Sequence, residues 1–326
     1  MSIPHIRILA TGGTIAGSAG SALQRAYTAG ELAIATLVED AKALGLQARL
    51  DGIDIAMIGS QDIGWPQWQA LHDHLAEAIA DDDVDGVIIT HGTDTAEETA
   101  FLLDLTLPAG KPVVIVGAMR PADAVGTDGM RNFANAARVA SDSGAWNRGV
   151  LVVMGDAVYA PSDVRKATLS SVDAFRGFPR GPLGLVSPAM LDWFGPADRS
   201  GAAARFAWPE SLPRVAILYG FAGMDVASVE AELAAGAKGL VLAGVGEGNA
   251  PRPVLDRLAQ AVRDGIPVVR ASRVDEGWVE VDPEDIEDGF IASRSYNPQK
   301  SRILLQLLIA SHRTDRESAQ AEFDRR

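Results

Sequence analysis

The chain has 326 residues, 47% of them apolar, enough to build two hydrophobic cores and large for one. Forty-three acidic against twenty-nine basic residues give a net charge of −14, which argues against nucleic acid or an anionic membrane as partner and favours a small substrate. The absence of cysteine excludes a disulfide framework and thiol chemistry.

The first apolar run, Ile6, Ile8 and Leu9, reads as a buried strand and leads into Ala10-Thr11-Gly12-Gly13-Thr14-Ile15-Ala16-Gly17. Open α/β sheets bind their ligands at such carboxyl ends. Glycine there lets the backbone approach a small substrate and leaves N–H groups to meet a developing oxyanion. Taken alone, this turn suits a nucleotide about as well as a reaction. Against the nucleotide, Gly12 and Gly13 are adjacent where a dinucleotide fingerprint needs a spacer, and no Gly-Lys-Ser/Thr follows. Residues 18–28, rich in Ala, Gly and Ser, read as a mobile gate and as the segment that sets substrate preference.

Further along, Ser60-Gln61-Asp62 reads by itself as a helix-capping turn. An amphipathic helix is predicted over 67–80, then a strand through Val84, Val87, Ile88 and Ile89. That strand runs into Thr90-His91-Gly92-Thr93-Asp94-Thr95, so a hydroxyl again closes a strand. Strands at 113–116 and 150–154 and a helix at 130–140 continue the alternation. The fold class this predicts is α/β, a doubly wound parallel sheet with helices on both faces. The stretch 181–213 carries five prolines and marks a boundary. The expected division is 1–190, a linker at 191–212, and a smaller α/β domain at 213–326. In that second domain strands are expected at 215–219, 239–243 and 267–270, with a helix at 300–311. The polar tail from 314 to 326 is expected to fray at its end.

Metal and triad chemistry find little support. His72 and His74 are two residues apart and fall on different helix faces. Neither a His-Glu-x-x-His pattern nor a Gly-x-Ser-x-Gly turn occurs. No apolar run approaches the ~18 residues of a membrane span. The first residues lack a basic stretch, an apolar stretch and a cleavage site, so the cytoplasm is expected, or the periplasm if a signal peptide has been removed.

The two threonine turns are joined by Val116-Gly117-Ala118-Met119-Arg120-Pro121, Asp163-Val164-Arg165-Lys166, Gly246-Glu247-Gly248-Asn249 and Asn297-Pro298-Gln299-Lys300. In this order the series resembles the bacterial-type L-asparaginase family, the amidohydrolases that include the glutaminase-asparaginases, and the resemblance runs nearly end to end. It implies hydrolysis of the side-chain amide of L-asparagine to aspartate and ammonia through a threonine ester, with some activity on glutamine, and without cofactor or metal.

The resemblance also implies roles. Thr14 is the nucleophile, and Tyr27, which on its own reads as an aromatic at a helix entrance, is a proton relay. Thr93, Asp94 and Lys166 form a second cluster. A lone lysine is usually a solvated charge, and the motif position argues otherwise; in either protonation state it can polarise Thr93 and so a water. Asp94 holds the substrate ammonium, Ser60 and Gln61 its carboxylate, and the Ala118 carbonyl its amide. Asn249 and Glu284 are donated from a neighbouring subunit, in a homotetramer built as a dimer of intimate dimers. Glu284 sits among six acidic residues between Glu280 and Asp288, where an ordinary charge run is the plainer reading. His91 is read as structural. Two other readings stand beside this one: an amidotransferase subunit, although this acidic chain shows no added tRNA-binding segment, and a nucleotide-binding α/β protein.

Overall fold

The computed structural model describes residues 3–17, 34–43, 48–197, 199 and 201–325. Two compact units divide the chain, Met1–Arg205 and Phe206–Arg326.

The strands of the first unit are β1 (His5–Gly12), β2 (Arg49–Ile58), β3 (Gly86–Thr90), β4 (Val113–Val116), β5 (Val150–Met154), β6 (Ala157–Tyr159), β7 (Val164–Lys166), β8 (Phe175–Gly177), β9 (Gly184–Ser187) and β10 (Met190–Trp193). Its helices are α1 (Ile34–Ala43), α2 (Trp65–Ala80), α3 (Ala96–Thr106) and α4 (Gly129–Ala140). Five strands lie parallel in the order β2-β1-β3-β4-β5. β3, β4 and β5 are buried along their whole length, and helices on both faces are why they are unbroken Val/Ile runs rather than alternating ones.

Ile6, Ile8, Ile88, Val114 and Leu151 share one cluster with Phe133, Ala136 and Val139 of α4 and Val38 and Ala41 of α1. The alternate residues Leu9, Val87, Ile89 and Ile115 point to the opposite face, where α2 packs on β1 and β3 and α3 on β5. Phe133 is fully buried, and truncating such a ring to alanine costs about 3–5 kcal/mol. Helix α2 starts two residues before the expected 67: Pro66 suits the first turn, and Gln67 Oε1 accepts from Gly64 N at 3.0 Å.

The doubly wound architecture is as expected, with one correction. The sheet is mixed rather than wholly parallel, because β6, β9 and β10 extend it antiparallel beyond β5. These strands have three or four residues and sit among glycines and prolines, too short to leave a two-residue period in the sequence. β7 and β8 form a separate hairpin in which Lys166 pairs with Phe175.

The second unit holds β11 (Val215–Tyr219), β12 (Gly239–Gly244), β13 (Val268–Ser272) and β14 (Ile291–Ala292), all parallel and in chain order. Its helices are α5 (Ala227–Ala234), α6 (Arg252–Arg263), α7 (Pro283–Asp288), α8 (Pro298–Ala310) and α9 (Arg316–Asp324). Leu218, Leu240 and Leu242 pack against Val254, Leu258 and Ala261 of α6. The polar tail is helical as far as Asp324. It folds as α9, capped by Asp315, whose carboxylate accepts from Ser318 N at 2.9 Å, and anchored by the fully buried Phe323. A single aromatic in a charged segment gave no apolar period to read.

Candidate active site

The strand order reverses direction between β1 and β3, and ligands of doubly wound sheets bind in the crevice outside such a reversal. The Thr14 turn leaves β1 there and the Thr93 turn leaves β3. Thr14 opens a single 3-10 turn, Thr14–Ala16, entered through Gly13 at φ 79°. The turns are stacked backbone on backbone. A Cβ on Gly13 would lie 2.4 Å from Gly92 N, one on Gly92 2.7 Å from Ser60 Oγ, and one on Gly117 2.6 Å from His91 O. Only glycine fits these contacts, so the turns after β1, β2, β3 and β4 converge. Cross-bonds hold them: Gly13 N donates to Ile58 O (3.0 Å), Thr95 Oγ1 to Ser60 O (2.7 Å), Thr11 Oγ1 to Thr90 O (2.9 Å) and Ala122 N to Gly17 O (3.1 Å).

The β7–β8 hairpin brings Lys166 to this point. Its Nζ donates to Thr93 Oγ1 at 2.8 Å and to Asp94 Oδ1 at 2.6 Å. Thr93 is buried, the Lys166 side chain is 17% exposed, and that of Asp94 is 61% exposed, so one amine links an interior hydroxyl to a carboxylate in solvent. A hydroxyl oxygen that accepts from Nζ keeps its own O–H for a further acceptor. Thr14, at 5% exposure, is as enclosed as Thr93. Two threonine hydroxyls, a lysine and an open carboxylate are a set suited to acyl transfer on a small charged substrate.

The amino-terminal part of the asparaginase family model ("Asparaginase, N-terminal") matches residues 5–198, and the "Glutaminase/Asparaginase C-terminal domain" matches 214–323. The chain is 44% identical to a probable periplasmic L-asparaginase of Haemophilus influenzae, over 94% of this chain and 89% of that one. It is 42% identical to L-asparaginase 2 of Escherichia coli, over 95% and 90%. The chain belongs to the asparaginase family. The crystal structure of a probable cytoplasmic L-asparaginase from Campylobacter jejuni superposes with a TM-score of 0.93 at 35% identity, covering 99% of this chain and all of that one. Relatives named for the periplasm and for the cytoplasm thus share this fold.

Within this asparaginase-family fold, His91 is fully buried and bonded to its own turn and to α3. Its Nδ1 lies 2.7 Å from Gly92 O and its Nε2 2.9 Å from Thr99 Oγ1, which itself accepts from Trp68 Nε1 at 2.9 Å. Gly92 O can only accept, which fixes the proton on Nδ1 and makes Nε2 the acceptor for Thr99. Full burial pushes the imidazole down to about 4, against the smaller opposing effect of the Gly92 bond. It is a neutral strut at neutral pH. Nothing in the sequence signalled Thr99 as its partner, or Trp68, 31 residues from Thr99, as the donor to that hydroxyl.

Ser60 is buried, while Gln61 and Asp62 are exposed and bonded to each other at 3.1 Å. Asp62 does not cap α2, which starts from Gly64. Ala118 is fully buried beside the Thr93 turn. A second feature absent from the sequence reading is Asp128, which accepts from Met119 N, Arg120 N and Asn132 Nδ2. Tyr27 and the 18–28 segment lie outside the described residues.

In the second unit Asn249 is exposed and closes a small bridge with Val245. Glu284 lies on α7, 78% exposed and 3.7 Å from Arg252. The buried member of that acidic run is Asp285, clasped by Arg270 through Nε and Nη2. Arg270 also donates to Glu247 O at 2.9 Å, so one guanidinium ties the Asn249 loop to α7. Among the described residues no group of His, Asp and Glu is arranged to hold a metal ion, and no helix is long and apolar enough to cross a membrane.

Proposed function

We propose that this chain hydrolyses the side-chain amide of L-asparagine to L-aspartate and ammonia, through an ester on Thr14. The observation that carries the reading is Lys166 Nζ, bonded at once to Thr93 Oγ1 (2.8 Å) and Asp94 Oδ1 (2.6 Å) in a turn packed against the Thr14 turn.

In this reading Thr14 Oγ attacks the amide carbon, and its proton passes by way of Tyr27 to the departing nitrogen, which leaves as ammonia. Backbone N–H groups of the glycine turns meet the oxyanion. Water then attacks the ester, polarised by Thr93 with Lys166 behind it, and releases aspartate while Thr14 regains its proton. Asp94 binds the substrate ammonium, Ser60 and Gln61 its α-carboxylate, and the Ala118 carbonyl its amide N–H. A grip on both charged ends favours a free amino acid over a peptide. Asn249 and Glu284 complete the site of a neighbouring subunit in a homotetramer of two intimate dimers, and no cofactor or metal takes part.

Asparagine and glutamine differ by one methylene, a discrimination of about 1–3 kcal/mol in an apolar pocket. The test is ammonia release from L-asparagine, L-glutamine and D-asparagine, with and without EDTA. Turnover of L-asparagine that EDTA leaves unchanged, and that Asp94→Ala abolishes together with binding, is expected. No ammonia from either L-amide sinks the reading. Loss with EDTA and recovery with a divalent ion replaces the mechanism.

A further inference from the structure

Asp128 stands at the N-cap of α4, where an aspartate ordinarily accepts from the first helical N–H groups. It makes no such bond. Its carboxylate turns back to the loop after β4 and accepts from Met119 N (3.0 and 3.2 Å) and Arg120 N (2.9 Å). Asn132, one turn along α4, donates through Nδ2 both to Asp128 Oδ2 (3.0 Å) and to Gly117 O (3.0 Å). Asp128 is 8% exposed and Asn132 1%, so these bonds are not shared with bulk water. Every partner of the carboxylate is an N–H donor, so it serves purely as an acceptor.

The consequence is geometric. The peptide before Ala118 is held through Gly117 O, and the peptide after it through Met119 N, by one carboxylate and one amide. Ala118 lies between two fixed points, and its carbonyl belongs to the peptide whose N–H, that of Met119, Asp128 grips. On the far side the loop lies so close to the Thr93 turn that a Cβ on Gly117 would fall 2.6 Å from His91 O and 3.0 Å from the Thr93 methyl. Helix capping has been given up to hold this one carbonyl.

We propose that Asp128, with Asn132, is the positioning residue for amide recognition: it aims the Ala118 carbonyl at the N–H of the leaving group. This rests on the asparaginase reading and on the contact assigned there to Ala118. A carbonyl acceptor recognises an amide and not an ester, since an ester offers no N–H. The selectivity of the site for amide over ester is therefore the quantity Asp128 controls.

The test compares kcat/KM for L-asparagine and for the β-methyl ester of L-aspartate, with L-aspartate affinity as a third measurement. Asp128→Asn keeps the shape but replaces one acceptor oxygen by an N–H donor, which must face either Arg120 N and Met119 N or Met119 N and Asn132 Nδ2. Its amide-to-ester ratio should fall about tenfold, on the scale of one misplaced hydrogen bond, while aspartate affinity stays within about twofold on the same scale. Asn132→Ala frees Gly117 O, leaves Asp128 in place and should lower the ratio in the same direction; it carries the test should Asp128→Asn not fold. An equal fall on amide and ester would mean a merely structural role and would overturn the proposal while the asparaginase reading stands. A wild-type protein that cleaves the ester but not asparagine would overturn both.

Discussion

Gly13 and Gly92 meet with no room for a side chain: a Cβ on Gly13, at φ +79°, would stand 2.4 Å from Gly92 N and 2.6 Å from Gly92 Cα. The turns that carry Thr14 and Thr93 therefore share one backbone wall, and their separation is set by the missing side chain of Gly13, while that of Gly92 makes room for Ser60. Gly13→Ala should lower kcat by at least about a hundredfold, since a displacement of about 1 Å at a reacting group costs that much. Gly236, at φ +82° with nothing within 4 Å of its Cβ, controls for backbone strain alone. Gly236→Ala should lose about 1 kcal/mol of stability and no activity. Equal activity in the two variants would show that the turn contact does not matter.

Thr14→Ala should keep its fold and fall below about a hundredth of wild-type turnover, because nucleophile losses cost many orders of magnitude. Lys166→Met removes the Nζ donor from Thr93 and Asp94 but leaves an apolar stem of similar length, so it too should fold and be nearly inactive. Circular dichroism and steady-state rates decide. Turnover by Thr14→Ala above that hundredth removes it as nucleophile.

Much of this arrangement was legible in the chain itself, for a physical reason. Buried parallel strands such as Val113–Val116 and Val150–Met154 are unbroken apolar runs, and glycine-threonine turns mark where they end. What escaped was either short or long-range. β2 is an edge strand in which Arg49, Asp51 and Asp54 interrupt the apolar residues, and three-residue strands have no period. The Trp68–Thr99–His91 chain and the hold of Asp128 on Met119 depend on which surfaces fold together. No local spacing encodes those contacts. His91 shows where the two meet: the sequence reads it as structural, and burial adds that its imidazole is neutral.

That burial carries a pH signature. The His91 imidazole is pushed down to about 4 from 6.5, so as the pH falls through that window the unfolded chain takes up a proton that the folded chain refuses. Its contribution is fully present above 6.5 and is lost toward 4, by up to roughly 3 kcal/mol. Urea unfolding of wild type and His91→Gln at pH 7 and pH 4.5 reads it out. The variant should be less stable at pH 7 yet lose less on acidification, because the carboxylates common to both cancel. Identical losses in the two proteins would show that His91 does not titrate in this way.

The last prediction concerns how the site is completed. Asn249 and Glu284 are both exposed on the second unit, and Arg270 ties their two segments together through Glu247 O and Asp285. If they are donated to a neighbour's Thr14 site, no chain works alone, and defects in the two halves must complement. Chains carrying Thr14→Ala are co-refolded with chains carrying both Asn249→Ala and Glu284→Ala, after each homo-oligomer is shown to be impaired. In a mixed dimer one site collects both defects and the other none, so activity should return to about half per mixed dimer by the two-fold symmetry of such an interface. Recovery should rise and fall with the fraction of mixed species, which peaks at equal amounts of the two chains. Verified mixed oligomers without recovered activity would mean that each chain builds its whole site from its own residues.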